Sequence, residues 1–312
     1  MQTSPADRRR GLIYGIAAYG LWGLMPLYFT LVIDRASPPE LVAFRIGWSF
    51  LFLCGLITAI RGWRAVWTAV ANRRVFAALA GSTVMIAINW IAYVYAVASH
   101  QVLQASLGYY VTPLVNVALG VLILGERLKL FQTLGICLAA VGVLFLALAG
   151  GEVPYLAIAL AFSFGCYGLL RKLAPVDGAS CLLIETALMI LPSIGAIYYL
   201  RSRPGVAPFD ATTHALLALG GIVTAMPLLF FGAAARRLPL TTLGILQYLA
   251  PTVQFLFAVL LLGEDFSRIK LISFLFIWTA VAIYTYGSLR GHRRDEESPS
   301  VEPVPEEVFE TA

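Results

Sequence analysis

The chain has 312 residues, of which 60% are hydrophobic and only 12% charged, and a formal net charge of +5. Soluble domains average roughly 25% charged residues, so a soluble globular class is excluded. The basic residues are spread over short connections and form no patch, which removes nucleic acid as a partner.

Residues 1–10, rich in Arg, precede the first of ten apolar runs. The runs are 11–33, 39–60, 75–98, 102–124, 130–149, 154–173, 178–200, 212–235, 241–262 and 269–288. Each is near the ~20 residues needed to cross a bilayer, and the connections are too short for a soluble domain. The first run is too long for a signal peptide and has no A-x-A-like cleavage site, so it reads as a retained helix. The Pro- and Glu-rich segment 289–312 is predicted to be a disordered cytoplasmic tail.

Polar residues at membrane depth are costly and mark candidate functional positions. In the second span Arg45 lies roughly 9 Å below the surface at 1.5 Å per residue. It reads as an anion-binding group or one that snorkels outward. The third span puts Asn89, Tyr93 and His100 on one stripe, with Trp90 beside them as a stacking surface. On the fourth span Tyr109, Thr112 and Asn116 fall within an arc of about 60°, and Pro113 interrupts the run as a candidate hinge. Glu185 in the seventh span is a candidate proton-coupling carboxylate. The ninth span carries Gln247, Tyr248 and Gln254 as candidate contacts, with Pro251 as the second hinge. For each group the competing reading is packing between helices, since polar side chains bond across membrane helices anyway. The depths of Arg45 and Glu185 differ by roughly 11 Å in a ~30 Å core, so no ion pair between them is assumed. Glu126 and Glu264 are read as positional residues at span ends. Cys54, Cys137, Cys166 and Cys181 lack metal-site spacing and read as free thiols.

With the N-terminus inside, the inner connections hold sixteen Lys and Arg residues, counting Arg171 and Lys172; the outer ones hold five. The positive-inside rule then puts both termini in the cytoplasm.

Sliding the chain by 138 positions pairs LGYYVTPLVNVALGVLILGE (107–126) with ILQYLAPTVQFLFAVLLLGE (245–264). Tyr110 meets Tyr248, Pro113 meets Pro251, and Gly125-Glu126 meets Gly263-Glu264. Tyr109 falls on Gln247, and Asn116 on Gln254. At an offset of 136, Asn89, Tyr93 and His100 fall on Ala225, Leu229 and Arg236, so a shared cavity should be chemically lopsided. The halves, 11–149 and 154–288, each hold five spans, and an odd number turns the second upside down. Inverted repeats of this kind build secondary transporters, with the site near the midplane between them.

Ten spans in two halves, each fourth span ending in P-x(11)-GE, resemble the EamA branch of the drug/metabolite transporter superfamily. The segments AAYGLWGLMPLYF (17–29), FRIGWSF (44–50), NW (89–90), ASLGYYVTPLVN (105–116), LGERL (124–128), AFSFGCYGLLRK (161–172) and LGILQYLAPT (243–252) resemble its RarD-type members. The resemblance implies an inner-membrane permease of undefined natural substrate, whose third, fourth, eighth and ninth spans line the path.

No G-x-x-x-x-G-K-[ST] and no H-E-x-x-H occur, so neither an ATP motor nor a zincin site is built in. The expectation is therefore an all-α polytopic membrane protein of ten helices in two inverted repeats. It acts as a secondary transporter, exporter or permease, of small organic metabolites or drugs by alternating access. A gradient-independent uniporter or channel is the alternative, and an intramembrane enzyme a remote one. No cofactor or metal is expected. The partners are a small-molecule substrate, lipid, and a coupling proton or ion; a homodimer is left open.

Overall fold

The structure, a computed structural model, describes residues 5–32, 34–99, 102–148, 155–204, 207–260 and 268–297. Thirteen helices follow one another: α1 (Pro5–Gly23), α2 (Met25–Val32), α3 (Pro38–Ala59), α4 (Trp63–Ala71), α5 (Arg73–Ala98), α6 (Val102–Leu122), α7 (Leu130–Leu148), α8 (Tyr155–Leu173), α9 (Gly178–Arg201), α10 (Ala211–Ala235), α11 (Leu240–Gln247), α12 (Leu249–Leu260) and α13 (Arg268–Glu297). The described parts of the predicted spans fall largely on helix. Two of them are split, and α4 is additional.

Six described stretches are both long and apolar enough to cross a membrane: Ala6–Val32, Pro38–Ala59, Arg73–Tyr93, Tyr155–Leu173, Gly178–Arg201 and Ala211–Ala235. The apolar stretches Leu107–Leu122, Leu130–Phe145 and Leu271–Gly287 are shorter. Large apolar side chains stand on the outside, among them Leu122 and Leu191 at 81% and 77% exposure. In water such faces would associate; against lipid they are at home.

The packing repeats itself between the halves. Helix α5 packs on α8, and its repeat mate α10 packs on α1. Likewise α6 packs on α8, as the α11–α12 pair packs on α1; and α5 meets α9, as α10 meets α3. Three pairs join repeat mates directly: α3 with α9, α6 with α11, and α7 with α13. This is the pattern a two-fold exchange of the halves demands. At residue level Tyr248 Oη donates to the carbonyl of Tyr110, its partner at the repeat offset, over 3.3 Å. Each helix finds much of its packing in the opposite half, so the repeats interlock.

The first split falls at Leu24, two residues before Pro26, and the second at Tyr248, three before Pro251. Proline offers no N–H to the carbonyl four residues back. For Pro26 that carbonyl belongs to Trp22, and Gln254 Nε2 from α12 donates to it over 3.2 Å. The second interrupted helix therefore mends the first, as irregular backbone at membrane depth requires. Pro113, Pro192 and Pro227 lie inside continuous helices. The paired prolines 113 and 251 thus behave differently: α6 runs on, while its mate is cut in two.

Helix α4, in the connection after the second span, buries Val66 and Ala69 and leaves Trp67 65% exposed. Such an amphipathic turn suits a membrane surface. Helix α13 continues through Glu297, so the first part of the predicted tail is helical, as LRGHRRDEE, free of proline, permits; residues 298–312 lie outside the described residues. The four cysteines are unpaired.

Candidate functional site

A cavity of about 240 Å³ lies where the interlocked halves meet. The first half contributes Tyr19 and Trp22 of α1, Met25, Pro26 and Phe29 of α2, and Val42 and Arg45 of α3. Helix α5 adds Ile86, Asn89, Trp90 and Tyr93; α6 adds Tyr109 and Thr112. From the second half come Leu160 and Phe164 of α8, Thr224 and Leu228 of α10, Gln247 of α11, and Ala250, Pro251 and Gln254 of α12. Both helix splits open onto this space.

Seven of the nine candidate contact residues line it: Asn89, Trp90, Tyr93, Tyr109, Thr112, Gln247 and Gln254. Asn89 Nδ2 donates to the Leu160 carbonyl (2.9 Å) and to Ser163 Oγ (3.1 Å), which ties α5 to α8. The Tyr93 and Tyr109 rings sit 6.3 Å apart, tilted by 50°. Thr112 Oγ1 donates back to Gly108 O.

Asn116 and Tyr248 do not reach the cavity. Asn116 is fully buried, and its Nδ2 donates to Gln247 Oε1 over 2.9 Å. This bond joins the two helices carrying these residues, behind the wall of the cavity. It is possible because Gly244 lets α11 approach: a Cβ there would lie 2.8 Å from the Pro113 carbonyl and 3.0 Å from Asn116 Cβ. Tyr248 is 1% exposed and serves the Tyr110 bond described above. Of the hinge candidates Pro251 lines the cavity and Pro113 does not. His100, Gly263 and Glu264 lie outside the described residues.

The two in-span charges have separate surroundings. Arg45 lines the cavity, donating from Nε to Thr224 Oγ1 over 2.6 Å, with its guanidinium 5.6 Å from the Phe29 ring centre. Glu185 is away from the cavity, in a buried ion pair with Arg171 at 3.3 Å. It also accepts from Ser82 Oγ (2.6 Å) and Tyr167 Oη (3.2 Å). Arg171, counted from sequence as a cytoplasmic loop charge, is 2% exposed and also donates to Gly178 O. Its position two residues from the end of α8 gave no hint of this depth. Its neighbour Lys172 binds the Ala235 and Leu238 carbonyls at the end of α10.

Beneath the cavity the rings of Tyr19, Trp22, Phe164, Tyr167 and Phe231 pack at centroid distances of 5.3 to 6.3 Å. This floor was not anticipated; aromatics in apolar runs carry no distinguishing pattern. Thr224 and Leu228 were missed by one register step, since the repeat offset pointed to Ala225 and Leu229. The lining also exceeds the third, fourth, eighth and ninth spans, because the split first span and the second and sixth spans join it.

Glu126 has a defined partner too. Gly125 turns at φ +65°, a conformation that favours glycine, and the Glu126 carboxylate then accepts from the Leu240 and Thr241 N–H groups at 2.6 and 2.9 Å. It caps α11, the repeat mate of the helix it follows, where a negative charge is favourable. Among the described residues no group of three or more metal-ligating side chains forms.

The EamA-like transporter family matches residues 9–148. A RarD protein of Streptomyces exfoliatus is 41% identical over 291 residues, 92% of this chain and 92% of that protein. An uncharacterized transporter of Vibrio cholerae is 41% identical over 295 residues (94% and 97%), and a RarD protein of Escherichia coli K12 is 41% identical over 292 (92% and 97%). A solved crystal structure superposes with a TM-score of 0.69 at 23% identity, over 88% of this chain and 97% of the other. That last likeness is one of fold.

Proposed function

Since the chain belongs to the EamA-like transporter family, along its length as a RarD-type member, we propose that it moves small organic solutes across the bacterial cytoplasmic membrane by alternating access, with the cavity between the repeats as the binding station. The family is one of transporters, so chemistry on the solute is not part of the reading.

The carrying observation is that one cavity is walled by both inverted halves and by both split helices. Related halves joined at a shared site can exchange their conformations, which opens the site to one side and then the other. With Arg171 removed from the loop count, fifteen inner basic residues still face five outer ones, which supports cytoplasmic termini. In that orientation the cavity runs from the middle of the spans toward the outer end. The aromatic floor, the Arg171–Glu185 pair and the Glu126 cap then close the inner side, as expected of an outward-facing state. Energy comes from an ion or solute gradient, and the direction we favour is export.

Purified protein in liposomes with an imposed proton gradient tests this. Solute flux that follows the gradient supports the carrier. Flux indifferent to any gradient would favour a uniporter, and no flux of any candidate solute would sink the reading.

A further inference from the structure

The cavity carries a positive charge that no described residue balances. Arg45 uses Nε for Thr224 Oγ1, which in turn donates to Gly220 O over 2.7 Å, so the guanidinium is held in place. Among the described residues its two terminal nitrogens have no hydrogen bond and no ion pair. No described residue lining the cavity is Asp or Glu. The carboxylates on neighbouring helices are committed elsewhere: Glu40 to Arg201 (3.3 Å) and to Ser37, and Glu185 to Arg171.

The free polar groups beside this charge can each donate a hydrogen bond. Gln247 meets Asn116 through Oε1, leaving its Nε2 without a partner. The Tyr19 hydroxyl is buried with no partner, and those of Tyr93 and Tyr109 make no hydrogen bond among the described residues. An unpaired cation at membrane depth is costly, and a solute that brings an anion removes the cost while bound. Around the donors the walls are aromatic, with Trp22, Trp90 and Phe29 positioned for a ring or an apolar body. The volume of 240 Å³ equals about eight waters at ~30 Å³ each. It falls below the roughly 300–1,000 Å³ of drug-sized pockets.

We propose that Arg45 is the anion subsite of the cavity and that its solute is a small organic monoanion: one carboxylate or equivalent acid on an aromatic or apolar body, without an ammonium group. The absence of a lining carboxylate among the described residues leaves an ammonium without its counter-charge. This proposal rests on the transport reading for what happens after binding, but the subsite can be tested by itself.

The full-length protein in detergent is titrated with phenylacetate, phenylacetamide, phenethylamine and phenylalanine, following the fluorescence of Trp22 and Trp90. Phenylacetate should saturate the signal at least about tenfold more tightly than the other three, because a charge-assisted bidentate contact is the strong one. Arg45→Gln should abolish that preference, and Arg45→Lys should restore part of it, with the unfolding temperature of both near wild type. Equal binding of the amide or amine, a preference that survives Arg45→Gln, or failure of phenylacetate to saturate would each overturn the assignment. Phenylacetate that binds but is not moved in liposomes, with no other candidate solute moved either, would uphold the subsite and refute transport. Flux of the neutral amide with no preference for the acid would uphold transport and refute the subsite.

Discussion

Two arginines lie deep in the bundle, and their surroundings differ. Arg171 is neutralised by Glu185 and held by Gly178 O, with both charged side chains 1% exposed. Arg45 faces a cavity with no carboxylate among its described lining residues. We propose that the first is a structural pair: among the described residues Glu185 has three partners, and it does not line the cavity. Removing one member of a buried pair leaves a stranded charge and costs about 3–5 kcal/mol. Glu185→Gln should therefore lower the thermal unfolding temperature markedly, while Arg171→Met combined with Glu185→Leu should recover most of it. A Glu185→Gln protein that stays stable but loses its proton dependence would instead restore the coupling role expected from sequence. We propose that Asn116, buried and bonded to Gln247, is likewise a positioning residue. Asn116→Ala and Gln247→Ala should each weaken the α6–α11 contact, and a double-mutant cycle on unfolding should return a coupling of about 1 kcal/mol. The identities of these residues were legible in the sequence, but their partners were not. Helical phase puts Tyr109 and Asn116 within about 20° of each other, yet so narrow a face still spans both cavity wall and helix seam. Whether Arg171 counts as loop or core depends on the tilt of α8, which hydropathy does not encode.

At the scale of elements the two split helices matter most. Five prolines interrupt apolar runs, and only Pro26 and Pro251 coincide with a break. What distinguishes Pro26 is the partner: Gln254 reaches the Trp22 carbonyl that the proline leaves open. That long-range bond is invisible in sequence, although the matching Pro113 and Pro251 had marked the ninth span. Pro26→Ala supplies the missing N–H. The variant should be at least as stable as wild type in thermal unfolding, and slower in transport because α1 and α2 would move as one rod. Transport at the wild-type rate would mean that the break is a static kink. Close approach sets the other limit. Gly244→Ala places a methyl 2.8 Å from a backbone oxygen, which cannot give way as a side chain can. It should destabilise the fold by about 1–3 kcal/mol and impair transport together with it.

For the molecule as a whole, composition and hydropathy disclosed the class, and the offset of 138 disclosed the repeat. The packing follows from it, since every strong pairing across the halves has its exchanged counterpart or joins repeat mates. The interlocking of the halves was not legible, because an inverted repeat in sequence is compatible with two separate lobes. The orientation argued from basic residues is testable directly: single cysteines at positions 3 and 300, in a protein lacking its four native ones, should resist an impermeant thiol reagent added to intact cells. Reaction at either would reverse the topology.

The central claim is that one cavity serves both sides of the membrane. Ala250 lines it near the middle of its span, and cysteine fits there with little change in volume. With the native cysteines replaced, Ala250→Cys protein is reconstituted in one orientation, and an impermeant maleimide is applied either outside the liposomes or sealed within them. Alternating access predicts labelling from each side. Labelling from one side only, or from neither, would contradict it.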